Sequence, residues 1–218
     1  MGDVIFMAGV RARRARTFAD SGSGRATQLG FAFDLVLPDT YFAAERLERL
    51  ERPVAWTPAL ASVLYGGRPG RDAVLVARRE AVEARADALR MPLVWPDRFP
   101  FDGSAAMRIC ALAIDLGRGA EFVLAASRLA FCGGFDLDDF EVLAEAAAAA
   151  GLPLDACLAA AGDRAVDEVL EARTLALRAR GATRLPVLSV GSRLYCGEER
   201  LPEAAALARA RVQAPRAG

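Results

Sequence analysis

The order of strand and helix signals along the chain is the feature that most constrains its fold. Strand signals occur near residues 29–56 and again after Gly181, whereas nearly every signal between Thr57 and Arg180 is helical. The pattern is therefore β-α-β, a long helical block, and then β-β-α. A single α/β core that carries a helical insertion accounts for this order better than two tandem domains do.

The first part of this pattern predicts a parallel pair of strands. Residues 29–37 (LGFAFDLVL) have the β-branched and aromatic content of a buried strand. After Pro38, helical spacing is found for the apolar residues Tyr41, Phe42, Leu47 and Leu50. Residues 52–56 (RPVAW) then predict a second short strand. A strand, a helix and a strand in succession favour parallel pairing of the two strands.

Caps and breaks divide the helical block. Residues 71–90 have continuous helical periodicity, and a later helix is predicted to begin with Asp136 as its N-cap and to end at Gly151. A further helix is expected from near Asp163 to Gly181. After it, residues 183–197 contain two apolar runs joined by Gly191-Ser192, which predicts a hairpin, and a closing helix is expected over residues 202–211.

These signals predict the following domain organisation. Residues 1–28 form a flexible N-terminal extension, residues 29–56 and 181–213 form the α/β core, and residues 57–180 form the helical insertion.

The composition excludes several kinds of catalytic site. The sequence contains no His and no Lys, so all 28 basic side chains are Arg. A Ser-His-Asp or Cys-His site, an imidazole metal ligand and a Schiff base are therefore excluded. No C-x-x-C motif is formed by the four cysteines, which are Cys110, Cys132, Cys157 and Cys196. We predict no metal site and expect these thiols to be buried in a protein of the reducing cytoplasm.

Charge and hydropathy argue against nucleic acid or a membrane as a partner. The formal net charge is +0, so the chain has no overall basic character that would attract phosphates. No apolar run approaches the roughly 20 residues that a membrane-spanning helix needs.

Four short sequences, taken in order, resemble a known family. FAFDLVLPDTYFA, FPFDGSAAMR, LPV and LYCGEERL are similar to segments of the 2-hydroxychromene-2-carboxylate isomerase and kappa-class glutathione transferase group. The resemblance extends over residues 29–210. It implies a thioredoxin-like α/β fold with a large all-helical insertion, glutathione as cofactor, an aromatic or electrophilic small-molecule substrate, and a homodimer.

The resemblance places a thiol-binding corner between the first strand and the first helix. In that group a Ser at this corner faces the thiol of bound glutathione, and Leu37 stands at its position here. Thr40 keeps a hydroxyl at the second position of the motif, and the Tyr41 hydroxyl is a candidate donor to an aromatic substrate. The free amides and dipole of a helix start stabilise a thiolate. Leu37 offers no hydrogen bond to it, and Asp39 would repel it.

The resemblance also assigns a glutathione cradle near the C-terminus. Leu185 and Pro186 match the cis-proline loop of thioredoxin folds, in which the residue before the proline pairs its backbone with the glutathione cysteine. Glu199 stands at the position of the acid that accepts the γ-glutamyl amine, and Arg200 follows it. A trans proline at a strand start and a solvated charge cluster are the respective structural alternatives.

Two functions therefore stay open. A glutathione-dependent isomerase or transferase would use the hydroxyl of Thr40 at the sulfur and would hold the tripeptide with the residues of the cradle. A catalytically degenerate binding or scaffold protein would keep the fold and the cleft without thiol chemistry. A disulfide oxidoreductase is not supported, because no Cys stands at the corner.

Overall fold

A computed structural model describes residues 28–50 and 52–213, so the predicted extension lies outside the described residues except for Gln28. Within the described part, the strands and α-helices are β1 (Leu29–Phe33), α1 (Pro38–Glu48), β2 (Val54–Pro58), α2 (Ala61–Leu64), α3 (Arg68–Ala77), α4 (Arg79–Leu89), α5 (Ser104–Asp115), α6 (Gly119–Phe131), α7 (Phe140–Ala149), α8 (Leu154–Gly162), α9 (Ala165–Ala179), β3 (Val187–Val190), β4 (Arg193–Cys196) and α10 (Leu201–Gln213). A short 3₁₀ turn, Glu198–Arg200, precedes α10.

The four strands form one mixed sheet in the order β2-β1-β3-β4. β1 pairs with β2 in parallel and with β3 antiparallel, and β3 and β4 form an antiparallel hairpin. The predicted parallel pair and the predicted hairpin at Gly191 are both confirmed. β2 begins two residues later than predicted, because the amide of Arg52 donates to the carbonyl of Leu50 in a turn and takes no part in the ladder.

Aromatic side chains of β1 and β2 form part of the core on one face of the sheet. Phe31 and Phe33 stack with ring centroids 5.2 Å apart, and Trp56 meets Phe31 edge-on at 5.1 Å. Alternate residues of a strand point to the same face, which explains why Phe31 and Phe33 meet. Helix α1 packs against α6, so the first helix of the core is buried by the helical block.

The helical block contains helices α2 to α9, which all lie between β2 and β3 in the chain. The single helix predicted over residues 71–90 is in fact two helices, α3 and α4. They are separated at Arg78, whose backbone has φ −95° and ψ 0°. The side chain of Arg78 is committed to a carboxylate of α1, which hydrophobic periodicity alone does not indicate.

The predicted N-cap of the helix after Gly134 was wrong. Asp139, not Asp136, is the N-cap of α7, and its side chain accepts a hydrogen bond from the Glu141 amide at 2.8 Å. Asp136 instead closes a turn by accepting from the Asp138 amide at 2.8 Å. Three Asp residues within four positions are all good caps, and the turn before the helix decides which one is used. Gly151 follows the end of α7 with φ 68°, as predicted.

Among the described helices, none is both long enough and apolar enough to cross a bilayer.

Candidate functional site

The corner between β1 and α1 is sealed from solvent. The side chains of Leu35, Val36 and Leu37 are at most 1 % exposed. Leu37 is the N-cap residue of α1 and, lacking a polar side chain, makes no capping hydrogen bond. Val36 lies beneath Gly103, where an added Cβ would stand 2.5 Å from Cγ2 of Val36. The corner that the resemblance predicts to face a thiol is therefore an apolar, buried part of the core.

The hydroxyl of Thr40 already has a partner. Thr40 is fully buried, and its Oγ1 donates to the carbonyl oxygen of Asp34 at 2.6 Å. The Thr40 amide donates to the Leu37 carbonyl at 2.9 Å, which closes the first turn. That this hydroxyl binds a sulfur atom stays a prediction. To donate a hydrogen bond to a thiolate, Thr40 would have to break its bond to the Asp34 carbonyl.

Asp34 anchors the corner from below. Its carboxylate accepts from the amides of Val36 at 3.1 Å and Ala61 at 2.7 Å, which ties β1 to the start of α2. Burial raises the pKa of Asp34, and the two amide hydrogen bonds offset part of that rise.

The charge of Asp39 is neutralised by an arginine from the insertion. Asp39 is buried, and its two carboxylate oxygens accept from the guanidinium of Arg78 at 2.8 and 3.1 Å. This is the two-point geometry of a strong charge-assisted pair. The repulsion that Asp39 would exert on a thiolate is thus reduced by Arg78, which sequence reasoning did not identify.

The peptide bond between Leu185 and Pro186 is cis, as predicted. Leu185 is fully buried, and its amide donates to the hydroxyl oxygen of Tyr65 at 3.2 Å. Burial raises the pKa of Tyr65, and the bond from Leu185 lowers it in part. The backbone donor that would pair with an incoming peptide is therefore occupied by a side chain of the insertion, 120 residues away in sequence.

The predicted acid and arginine of the cradle lie at the surface. Glu199 is exposed and is paired with Arg184, and Arg200 is paired with Glu203. The neighbouring acid, Glu198, is the buried one: it is 2 % exposed and is bound by two arginines.

Glu198 links three elements of the fold. Its carboxylate accepts from Arg46 of α1 at 2.6 Å and from the guanidinium of Arg85 of α4. A cavity of about 210 Å³ next to these groups is lined in part by Asp39, Arg85 and Glu198. In the sequence, the only signal for this role was that two acids follow Gly197, and the first of them was not selected.

Tyr41 does not lie with the other predicted site residues. Successive residues of a helix are 100° apart, so the side chain of Tyr41 leaves α1 in a different direction from that of Thr40. Its hydroxyl lies near Cys132, at the end of α6. The structure thus places Leu37 and Thr40 at the buried corner, Leu185 and Pro186 in the loop that bonds to Tyr65, and Tyr41 beside Cys132.

The described residues do not fit glutathione in the arrangement that the resemblance implies. Leu37 has no donor, the Thr40 hydroxyl and the Leu185 amide have internal partners, and Glu199 is paired with Arg184. Within residues 28–50 and 52–213, no group of three or more acidic or Cys residues is arranged to hold a metal ion.

The sheet order, the first helix and the cis-proline loop, with helices inserted between β2 and β3, define a thioredoxin-like fold with a helical insertion. No protein-family model matches the chain, and no curated protein matches it. Solved structures do match. 2-Hydroxychromene-2-carboxylate isomerase superposes with a TM-score of 0.71 at 18% identity over 84% of this chain and 95% of that chain. A probable DsbA oxidoreductase from Streptomyces coelicolor superposes with a TM-score of 0.63 at 18% identity over 88% and 92%.

These similarities confirm the predicted fold class. The chain has the DsbA-like form of the thioredoxin fold, which 2-hydroxychromene-2-carboxylate isomerase also has.

Proposed function

We propose that this chain is a thioredoxin-like binding protein that has kept the fold of thiol-handling enzymes without thiol chemistry at the corner. The observation that carries the proposal is the sealed corner: Leu37, Thr40 and Leu185 are each 0 % exposed. A thiol enzyme needs its reacting sulfur to reach the helix start, and here that position is filled by protein.

The polar groups at this place support the same conclusion. Buried polar groups are hydrogen-bonded in stable proteins, and an incoming ligand gains only what it adds beyond the bonds that it breaks. The Thr40 hydroxyl is bonded to Asp34, and the Leu185 amide is bonded to Tyr65. A peptide that displaced Tyr65 would exchange one hydrogen bond for another and would gain little affinity from this contact.

The environment of Leu37 also opposes a thiolate. Apolar surroundings raise the pKa of a thiol, because they disfavour the charged form. The neighbours of Leu37 are Val36 and the buried start of α1, and Asp39 beside it is already matched by Arg78. A sulfur atom placed here would therefore stay protonated at neutral pH.

A glutathione-dependent isomerase or transferase acting on an aromatic or electrophilic small molecule is the second candidate. It is favoured by the TM-score of 0.71 with 2-hydroxychromene-2-carboxylate isomerase. This function would require the side chain of Tyr65 to leave Leu185, so that the backbone could pair with the tripeptide. A homodimer and a cytoplasmic location also remain predictions for this chain.

Calorimetric titration with glutathione and with S-methylglutathione tests the proposal. The binding-protein proposal predicts no heat of binding for either compound at millimolar concentration. It also predicts that Leu37→Ser creates no glutathione-dependent turnover, because the new hydroxyl would lie in the core. Tyr65→Phe frees the Leu185 amide, and Tyr195→Phe is the matched control, since the Leu185 amide donates to Tyr65 and not to Tyr195.

Binding of glutathione with proton release, and none of S-methylglutathione, would overturn the proposal in favour of the second candidate. Equal binding of both compounds that Tyr65→Phe strengthens and Tyr195→Phe leaves unchanged would show a peptide cradle without thiol activation. That result would contradict the expectation that neither compound binds, and it would identify glutathione-like peptides as ligands of a site without thiol activation.

A further inference from the structure

A groove of about 460 Å³ is lined by residues of α1 other than those that form the sealed corner. We call it the α1–α6 groove; it is formed by one stripe of α1, the end of α6 and the chain after α4. Its lining includes Tyr41, Arg49, Arg90, Met91, Arg128 and Leu129. Tyr41 and Arg49 are eight residues apart and so lie on one face of the helix and its C-terminal cap. The volume is within the range of small-molecule sites in proteins.

The groove has an excess of positive charge. One of its arginines, Arg128, is bound by Glu45 and Glu48, so its positive charge is fully matched. The other two, Arg49 and Arg90, are exposed, and their side chains make no hydrogen bond or ion pair with any residue in 28–50 or 52–213. Two arginines thus line one concavity without an ion pair to a carboxylate of the described chain. Arginine presents the planar donor pair that matches a carboxylate.

The backbone holds one of these arginines in an unusual conformation. Arg90 has φ 54° and is the only described residue other than glycine with a positive φ. It stands at the C-terminal cap of α4, where Gly or Asn would adopt this conformation with less strain. An arginine kept at such a position is consistent with a role for its side chain.

The floor of the groove combines a hydroxyl with apolar groups. Tyr41 is 3 % exposed, and Met91 and Leu129 are half-buried beside it. Burial, together with the nearby Cys132 and Glu45, raises the pKa of Tyr41 to about 12, so its hydroxyl keeps its proton at neutral pH and can donate. A ligand seated here would meet cations at the rim and aliphatic surface below.

The geometry points to the α1–α6 groove as a binding site for a small organic carboxylate, with Arg49 and Arg90 holding the carboxylate and the aliphatic floor holding the apolar body. The apolar floor favours an organic ligand over an inorganic anion. The two arginines without ion pairs favour an anionic ligand over a neutral one. The inference does not depend on the proposed function, because the groove lining shares no residue with the sealed corner.

Hexanoate, hexanamide and inorganic phosphate are the probes that test it. Ligand-observed NMR and calorimetry on the full chain should give binding of hexanoate, with hexanamide and phosphate each about tenfold weaker or worse. Arg49→Gln combined with Arg90→Gln should reduce hexanoate affinity about tenfold or more. The control is Arg193→Gln, which removes an equal charge from an exposed arginine of β4 outside the groove and should leave the affinity unchanged.

A second variant separates binding from folding. Arg90→Gly relieves the positive φ while removing the guanidinium, so it should weaken hexanoate binding without lowering the thermal midpoint. Equal binding of hexanamide, equal binding of phosphate, or an equal loss in Arg193→Gln would each overturn the inference. So would hexanoate binding that survives removal of both Arg49 and Arg90.

Discussion

Replacement of Glu198 by Gln is the most direct test of how the junction between α1, α4 and the turn before α10 is held together. Glu198 is 2 % exposed and is bound by the guanidinium groups of Arg46 and Arg85. The Gln side chain keeps the shape and one acceptor oxygen but removes the charge. Two arginines would then lose their shared partner at the junction of α1, α4 and the turn before α10.

The magnitude follows from the burial of each partner. Removing one member of a fully buried ion pair costs about 3–5 kcal/mol, whereas exposed pairs are worth about 0–1 kcal/mol. The arginine side chains are 20% and 34% exposed, so neither is fully cut off from water when the charge is lost. We therefore expect Glu198→Gln to lower the free energy of unfolding by about 2 kcal/mol, which corresponds to a fall in Tm of about 4–8 °C for a chain of this size.

Urea denaturation followed by tryptophan fluorescence measures this loss, and Glu203→Gln is its control. Glu203 pairs with one arginine, Arg200, and both side chains are about half exposed. Its replacement should cost about 0.5 kcal/mol or less. If the two variants lost the same stability, the ion pairs of Glu198 would contribute no more than a surface pair, and our account of the junction would be refuted.

Three further predictions concern the corner and the groove. Thr40→Val removes the hydroxyl that donates to the carbonyl oxygen of Asp34. It should lower the unfolding free energy by about 1–2 kcal/mol in the same urea assay. Gly103 has φ 72°, and a Cβ added there would lie 2.5 Å from Val36, so Gly103→Ala should lower the unfolding free energy by about 2 kcal/mol or more. Gly117 also has a positive φ, but a Cβ there would meet no atom within 4 Å. An equal loss in Gly117→Ala would contradict the packing argument. The pKa of Tyr41 is raised from 10.0 to about 12. Tyr41 therefore leaves the free energy of unfolding unchanged below pH 10 and lowers it as the pH rises from 10 towards 12. Ultraviolet titration of the wild type and of Tyr41→Phe measures the raised pKa on which this prediction rests.

Local signals were sufficient to predict the fold. The β1-α1-β2 unit and the hairpin at Gly191 depend on short-range periodicity and on turn residues, and both were found. The errors lie where several local choices were equivalent. Asp136 and Asp139 are equally good N-caps, and residues 71–90 are helical on either side of Arg78. A local turn determines which Asp caps the helix, and the break at Arg78 coincides with its ion pair to Asp39, a distant residue in the sequence.

The candidate site could be predicted only in part, for a related reason. The cis bond at Pro186 follows from a local motif, whereas the bond from Leu185 to Tyr65 joins residues 120 positions apart. Likewise, the Arg78 partner of Asp39 comes from the insertion. Helical periodicity places such residues on a face of their own helix but does not indicate which face of another element they meet.

The energetics of position 37 suggest why the corner is apolar. Full burial of a leucine stabilises a protein by about 1.5–3 kcal/mol, whereas a Ser at an N-cap contributes about 1 kcal/mol in the absence of ligand. Leu37 is therefore the more stabilising residue in the ligand-free protein, and a Ser would be favoured only where a bound thiolate adds its own hydrogen bond. Thr40 and Leu185 are likewise stabilised in the ligand-free protein, because each already has an internal hydrogen-bond partner. Replacement of Leu37 by Ser alone would leave both of those bonds in place, so we expect a glutathione-binding variant to require the replacement of Tyr65 as well.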